Sequence, residues 1–504
     1  MSIFDKRILG KPILPPLGRA PVPPFPGWWK VLGPGIVWMA LAQGSGELIW
    51  WPYLIAKYGL GFLFLLVPAC LLQWPLTFEI GRYTALTGES IWKGFIRLSP
   101  WFALPLWMLM VLSFLWFGAF ASAGGTALAA LTNWPPGLGR AGQSLVWAYA
   151  TIAVFLGGLV FSPVLYRFIE RFMVLVAVVT VAGLAIACAH PTVWGRLPEF
   201  LGGLVKPTWP LPRPWDPADA PKLLTAITFA GLGGFWTLFY SYWLREKGVA
   251  MAHHAGHLTG LLAAPSEKST ALPAAAAGEK TDDGGGCLPQ ADAGSEVDAG
   301  GGINAGHWRR WVGFLRVDSG IGIFGNIVTT LMTCLLAFAL LEPRGLLPEG
   351  WDIATVQSEF FAVRWGSWGR ALFLLVAAAF LADTWLSTVD AVSRVNTDLV
   401  RSFFSRARRR PARWWYFLFL FCLTAVTCAT MPLAQPGPLI VISAVLGFVG
   451  TVCFSFAVLA LNHVHLRPQL PDYARPGRAA AAAMTLSCIT YLALACVYLW
   501  LELG

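Results

Sequence analysis

Long runs of apolar residues alternate with short polar segments along almost the whole chain. Eleven runs are long enough to cross the roughly 30 Å of hydrocarbon in a bilayer, a distance that an α-helix covers in about 20 residues. They cover residues 33–56, 60–86, 101–131, 145–163, 168–190, 221–244, 317–341, 368–394, 414–432, 437–463 and 479–502. The pattern predicts an all-α integral membrane protein with eleven transmembrane helices, numbered 1 to 11 below.

Composition and charge agree with this class. The chain is 57% hydrophobic and only 12% charged, which excludes a soluble enzyme. With the N-terminus in the cytoplasm and the C-terminus outside, 27 of the 36 Lys and Arg residues fall on the inner side, as the positive-inside rule requires. The net charge of +10 then reflects membrane orientation, and we expect no nucleic-acid partner. The expected location is the plasma membrane, which is the inner membrane of a bacterium.

The chain divides into four parts. Residues 1–32 are a Pro-rich cytoplasmic leader, and 33–190 hold helices 1–5. Residues 206–463 hold helices 6–10 together with an Ala/Gly/Pro-rich insert at 249–307, which we predict to be disordered. Helix 11, at 479–502, is an additional helix outside these two groups of five. Helices 1–5 and 6–10 can be superposed as a five-plus-five inverted repeat with discontinuous helices 1 and 6, a LeuT/APC-type fold.

Two hydrophobic helices are interrupted by glycines in corresponding positions of the two halves. Glycine weakens a helix, and free backbone at membrane depth survives only where it lines a cavity. Paired breaks of this kind indicate a transporter's binding site. The candidate ligands are Gly44, Ser45, Gly46 and Glu47 in helix 1 and Gly231 and Gly234 in helix 6. Glu47 is the main one, because an ionisable group inside a membrane helix is costly and usually functional. The alternative is that Glu47 caps the second half of helix 1.

Helix 8 carries a second group of polar residues. Asp383, with Ser387 and Thr388, is a candidate second ligand or coupling site, and the competing interpretation is a hydrogen-bonded packing residue. The i, i+4 spacing of Asp390 and Arg394 predicts an ion pair.

Three other polar features have structural interpretations. Glu79 and Arg82 are predicted to form a salt bridge, and Asp318 is predicted to cap the start of helix 7. The basic segment from Arg406 to Trp415 reads as an anchor that fixes membrane orientation, with a lipid-headgroup site as the alternative.

Several motifs resemble the Nramp family of divalent-metal transporters, in a divergent branch. They are GPG at 33–35, AKYG at 56–59, RYTALTG at 82–88, GGTALAAL at 124–131 and YRFIERFMVLVAVV at 166–179. The resemblance as a whole runs from about Gly33 to the end of helix 10, without the insert. The resemblance implies a broken-helix, inverted-repeat fold with the metal held between helices 1 and 6.

The chain departs from the family at the site itself. The family's Asp-Pro-Gly-Asn corresponds here to residues 44–47, and its Met-Pro-His to residues 234–236, so the thioether ligand is missing. The acidic residues of the family's proton route correspond to Ala119 and Ser122, so that route is missing too. Glycine at 44 and 234 is expected to widen the cavity. In lacking the sulfur ligand, the chain is similar to Nramp-related magnesium transporters.

These observations predict a secondary carrier or uniporter that moves a hard divalent cation, Mg²⁺ or Mn²⁺, by alternating access. Carboxylate and carbonyl oxygens suit such ions. The alternative is an APC-type carrier of an amino acid or organic amine, and a receptor that binds without transporting is a third interpretation. No GxxxxGK[ST] motif is present, so we expect no ATP, no enzyme activity and no cofactor besides the transported ion. The expected partners are the lipid bilayer and the ion, and the expected state is a monomer or weak homo-oligomer.

Overall fold

A computed structural model describes residues 7–8, 11–44, 48–162, 165–254, 286–290 and 303–503. Within these ranges ten helices are long and apolar enough to cross a membrane. Helix 1 adds two shorter segments on either side of residues 45–47. The predicted all-α membrane architecture is confirmed.

The helices follow the predicted order with small shifts at their ends. Helices 1–5 comprise Pro34–Ala42 with Leu48–Tyr58, Leu66–Thr87, Pro100–Phe114 with Gly118–Thr132, Arg140–Phe161 and Leu165–Cys188. Helices 6–11 comprise Ala220–Phe229 with Gly234–Phe239 and Tyr240–Glu246, Ile303–Leu336, Glu359–Phe403, Ala412–Thr430, Pro436–Ala460 and Arg478–Leu503. Shorter helices connect them at Ile91–Leu98, Leu197–Val205 and Ile353–Gln357.

Helix 6 is interrupted where the glycines predict it. Its backbone leaves the helical region after Phe229, and Gly231, Leu232 and Gly234 all have positive φ angles. Glycine adopts such angles at little cost, whereas Leu232 must be held there by its surroundings. Helix 3 has an interruption that we did not predict, between Phe114 and Gly118.

Helix 7 begins earlier than predicted, at Ile303. The expectation that Asp318 caps its start is therefore wrong. The residues before Asp318 mix arginines with aromatic side chains, and such an amphipathic stretch continues a helix into the membrane interface. Asp318 is instead buried inside the helix, where it accepts a hydrogen bond of 2.8 Å from the Tyr240 hydroxyl.

Helix 8 is the central helix of the bundle and packs against helices 1, 3, 5 and 9. The long segment Glu359–Phe403 contains a kink at Gly366, whose φ is 59°. The part after the kink agrees with the predicted span at 368–394. Nearly every side chain from Phe380 to Thr397 is buried, so polar residues in this stretch face protein rather than lipid.

The leader and the insert make a small β-structure. Gly18–Ala20 pairs in parallel with Cys287–Pro289, while Arg7–Ile8 pairs with Lys11–Pro12. The predicted disorder at 249–307 is therefore wrong at three places: Ala250–His254 is a 3-10 turn, Cys287–Pro289 is a strand, and helix 7 already includes residues 303–307. These segments are ordered despite their low hydrophobicity, because they pair with the backbone of the leader or pack on the helices. Residues 255–285 and 291–302 lie outside the described residues.

Candidate functional site

Helix 1 meets helix 8 at Gly44. A Cβ at this position would lie 2.1 Å from the Phe380 carbonyl oxygen and 2.2 Å from Oγ1 of Thr384, distances that no side chain tolerates. Glycine is required here because the two helices approach backbone to backbone. The expectation that Gly44 widens the cavity is wrong, since helix 8 fills the space that a side chain would occupy.

Asp383 lies beside this contact, next to Thr384 in sequence. Its side chain is completely buried near the middle of the membrane span of helix 8. Neither carboxylate oxygen has a hydrogen-bond partner among the described residues. The two roles considered for Asp383, a second ligand and a hydrogen-bonded packing residue, both stay predictions. A carboxylate in this setting is costly unless a cation or a proton accompanies it.

Gln43 is the neighbour of Gly44 on the helix 1 side. It is buried, and neither its side-chain oxygen nor its nitrogen has a partner within the described ranges. Sequence reasoning missed this residue, although a lone amide inside an apolar helix was visible. Ser45, Gly46 and Glu47 lie outside the described residues, so their candidate roles stay predictions.

The break in helix 6 is tied directly to helix 1. The Trp38 indole donates a hydrogen bond of 3.0 Å to the Gly231 carbonyl oxygen, one of the predicted ligand groups. Gly233 lies against helix 2, because a Cβ there would be 2.6 Å from Nε2 of Gln73. The Gly231 carbonyl thus already joins the two broken helices.

Gly234 lies against helix 10. Its added Cβ would contact the Cα of Gly447 in helix 10 at 3.4 Å, and its φ is 69°. That glycine at 234 widens the site stays a prediction, because a Cβ there would make an ordinary van der Waals contact. Both residues allow close backbone packing around the breaks.

An aromatic cluster surrounds Trp236, which follows the interruption in helix 6. The Trp236 indole donates a hydrogen bond of 2.8 Å to Oγ1 of Thr388, which links helix 6 to helix 8. The rings of Phe114, Phe229 and Phe120 surround Trp236, with centroid distances of 4.7, 5.3 and 5.9 Å. Thr388, a predicted second ligand, therefore already accepts a hydrogen bond from Trp236. The interruption in helix 3 brings Phe114 into this cluster.

A sulfur atom lies close to the candidate site. The Ser387 hydroxyl is 2.6 Å from the Asp383 carbonyl oxygen and 3.3 Å from Sδ of Met173 in helix 5. The resemblance predicts no thioether at the helix 6 signature, but helix 5 brings one within a helical turn of Asp383. This thioether was visible in the sequence, because Met173 belongs to the helix 5 motif at 166–179.

Helix 3 carries the two positions that correspond to the family's proton route. Ala119 and Ser122 are both buried. The Ser122 hydroxyl donates to the Ala119 carbonyl at 3.0 Å, so its hydrogen-bonding capacity is used within its own helix.

The C-terminal half of helix 1 is held against the start of helix 6 by Asp219. This carboxylate is buried and lies 2.6 Å from Nζ of Lys57 and 2.8 Å from Nζ of Lys222. The Tyr58 hydroxyl donates to it at 2.7 Å. Two cations and a phenol on one carboxylate fix the two helices relative to each other.

The C-terminal end of helix 6 is held to helix 8 by a second ionic network. Arg394 is 2.9 Å from Asp390, which confirms the predicted i, i+4 ion pair, and it also contacts Glu246. Arg245 lies 3.1 Å from Asp398. Helices 6 and 8 are thus closed against each other at this end.

The predicted Glu79–Arg82 salt bridge is also confirmed. Asn462 and His463, directly after helix 10, join the pair, with His463 Nε2 at 3.4 Å from Glu79.

Glu89 follows helix 2, outside the membrane spans. Burial opposes its ionisation, but two hydrogen bonds of 2.7 Å and the charge of Arg97 overcome this and hold the pKa of the carboxyl below its ordinary value. The ion pair stabilises the fold at neutral pH, and this contribution is lost as the pH falls through the lowered pKa.

No protein-family model and no curated protein sequence matches this chain. Solved structures do resemble it. The Eremococcus coleocola manganese transporter in complex with an aromatic bis-isothiourea substituted compound has a TM-score of 0.61 at 14% identity, over 95% of this chain and 88% of that one. Mhp1, a nucleobase-cation-symport-1 family transporter with bromovinylhydantoin bound, has a TM-score of 0.50 at 13% identity, over 97% and 95%. The chain therefore has the LeuT-type inverted-repeat fold, while the resemblance to Nramp stays a prediction.

The contact at Gly44 can be tested by adding a single methyl group. We expect Gly44→Ala to destabilise the protein by about 1–3 kcal/mol and to impair ligand binding, because helices 1 and 8 must separate. Gly157→Ala in helix 4 is the matched control, since nothing lies within 4 Å of its added Cβ. It should be neutral or slightly stabilising. Thermal unfolding of both purified variants measures the difference, and equal midpoints would contradict the close approach.

Proposed function

We propose that this protein is a secondary carrier or uniporter that moves a divalent metal cation, Mg²⁺ or Mn²⁺, across the membrane by alternating access. The observation that carries the proposal is Asp383, a fully buried carboxylate with no hydrogen-bond partner in the described part of the chain. A cation is the simplest group that balances such a charge.

The surroundings of Asp383 support a cation that prefers oxygen ligands. Thr384 Oγ1 and the Phe380 carbonyl are packed against Gly44 of helix 1, and the buried Gln43 amide belongs to the adjacent residue in that helix. Glu47 would add a second carboxylate. Two carboxylates with hydroxyl, amide and carbonyl oxygens form a set that suits Mg²⁺ or Mn²⁺.

Met173 offers a way to distinguish these ions. A thioether favours softer metals, so its closeness to Ser387 supports Mn²⁺ over Mg²⁺. The manganese transporter with the same fold is consistent with this preference. A Met173→Leu variant keeps the volume but removes the sulfur, and it should weaken the response to Mn²⁺ more than the response to Mg²⁺.

The second candidate is a carrier of an organic amine or amino acid. The aromatic rings around Trp236 favour it, because a cationic amine binds the face of such rings. Asp383 would then neutralise the amine.

Purified protein in liposomes separates the two candidates. We expect uptake of Mn²⁺ or Mg²⁺ by the wild type, with loss of uptake in Glu47→Gln. Thermal unfolding with a panel of divalent ions, amino acids and amines gives a second readout that needs no transport. Stabilisation by amines alone would favour the second candidate, and binding without flux would indicate a receptor.

A further inference from the structure

A pocket of about 520 Å³ lies where helix 8 ends and helix 9 begins, and none of its lining residues belongs to the candidate cation site. Arg406 and Arg410 line it together with Trp414 and Trp415. The rest of its surface is apolar and comes from Val400, Phe404 and Ala407. Paired guanidinium groups above an apolar floor match a ligand that has an anionic end and a hydrocarbon end.

The walls of this pocket are held in place by hydrogen bonds. Nε of Arg408 donates to the Arg401 carbonyl at 2.9 Å, which fixes the turn Ser405–Arg409 against the end of helix 8. The Trp415 indole donates to the Ala407 carbonyl at 2.8 Å. The Arg410 guanidinium lies over the Trp414 ring, 4.9 Å from its centroid. The site is therefore preorganised, which lowers the entropic cost of binding.

The charge of the pocket is not balanced by acidic side chains. Arg406, Arg409 and Arg410 are exposed, and none of them forms an ion pair with a carboxylate of the described residues. The sequence contains no Asp or Glu between Asp398 and Asp472. Within the described ranges, these three charges thus face no carboxylate, and the surface they form suits an anion.

The pocket borders a surface of exposed apolar side chains. Phe404 and Trp414 are 57% and 41% exposed, although both are large and apolar. Trp414, Leu418 and Phe421 are all exposed and follow one another at i, i+4 and i+7, so they form one stripe on the outer face of helix 9. Within a membrane such a stripe faces acyl chains, and the arginines lie at its interfacial end.

We propose that this pocket binds an anionic phospholipid. The phosphate meets Arg406 and Arg410, and an acyl chain runs along the stripe of helix 9. Guanidinium groups bind phosphate through paired charge-assisted hydrogen bonds. A zwitterionic lipid fits less well, because its choline would bring a further positive charge to the arginines. The inferred site is independent of the transported substrate.

Lipid titration of the purified full-length protein tests the proposal. In mixed detergent micelles, we expect phosphatidylglycerol to raise the unfolding midpoint more than phosphatidylcholine does. The double variant Arg406→Gln, Arg410→Gln should bind phosphatidylglycerol roughly tenfold more weakly or worse, because two interfacial charges are lost. Native mass spectrometry counts the bound lipids and gives a readout independent of stability.

The matched control removes two other exposed arginines from the predicted inner side, Arg167 and Arg171 of helix 5. The variant Arg167→Gln, Arg171→Gln should bind phosphatidylglycerol as the wild type does. Restoring charge with Arg406→Lys, Arg410→Lys should recover part of the affinity. Equal binding of the two lipids, or equal losses in both glutamine variants, would overturn the proposal. Inorganic phosphate that reproduced the full effect would also overturn it, in favour of a soluble anion.

Discussion

Asp383→Asn should abolish the response of the protein to divalent cations without unfolding it. At a cation concentration about a hundredfold above Kd, the wild type should gain about 2.7 kcal/mol of stability, and the variant should gain almost none. Flux in liposomes should fall to the background level. The amide keeps the shape of the side chain, so the loss reports the charge.

The same substitution should act in the opposite direction when no cation is present. A buried carboxylate without a partner is costly, and an uncharged amide reduces that cost. We therefore expect the cation-free variant to unfold at a temperature equal to or higher than the wild type. A variant that is destabilised and still binds cations would show that Asp383 has a structural role only.

Asp390→Asn is the matched control on the same helix. Asp390 is equally buried, but its carboxylate is 2.9 Å from Arg394 and accepts a hydrogen bond of 2.7 Å from Tyr416. Its substitution should cost about 1–3 kcal/mol with or without cation, because charge-assisted hydrogen bonds are lost. Its cation response should be retained.

Arg394→Met should cause the largest loss of stability of any variant considered. The methionine leaves Asp390 and Glu246 close together in a buried setting without the cation between them, which costs about 3–5 kcal/mol. Thermal or denaturant unfolding of the purified protein measures this loss. Arg394→Lys should recover only part of it, because an ammonium group cannot reach both carboxylates as a guanidinium does.

Arg370→Met provides the comparison within the same helix. Arg370 also pairs with a carboxylate, Glu359 at 2.7 Å, but its side chain is 54% exposed. Solvent screens such a pair, so its loss should cost about 1 kcal/mol or less. Similar losses in the two methionine variants would contradict the view that the ionic network around Arg394 is a buried connection between helices 6 and 8.

The membrane helices and the break in helix 6 could be predicted because hydrophobic length and glycine position are local properties of the sequence. The function of those glycines could not. Gly44 was expected to leave space, but it lies against a distant backbone, that of helix 8. A sequence shows where a side chain is missing, and only the packing shows what occupies its place.

Only some residues of the candidate site could be predicted from the sequence, for a related reason. Asp383 stood out because a lone carboxylate in an apolar helix is unusual, but its lack of partners depends on neighbours from other helices. Met173 and Gln43 were passed over because each is ordinary within its own helix. Asp318 was misassigned because the polar stretch before it looked like a loop rather than an amphipathic extension.

The pairing of Gly18–Ala20 with Cys287–Pro289 also constrains how the chain is threaded through the bilayer. Two strands that share backbone hydrogen bonds must be on the same side, so the chain between them crosses an even number of times. Six helices, counting broken helix 1 as a single crossing, satisfy this parity. The hydrogen bond of 3.2 Å from Arg408 to the Ile13 carbonyl imposes the same condition across helices 1 to 8. The contacts of the leader thus constrain the membrane topology independently of the distribution of positive charges.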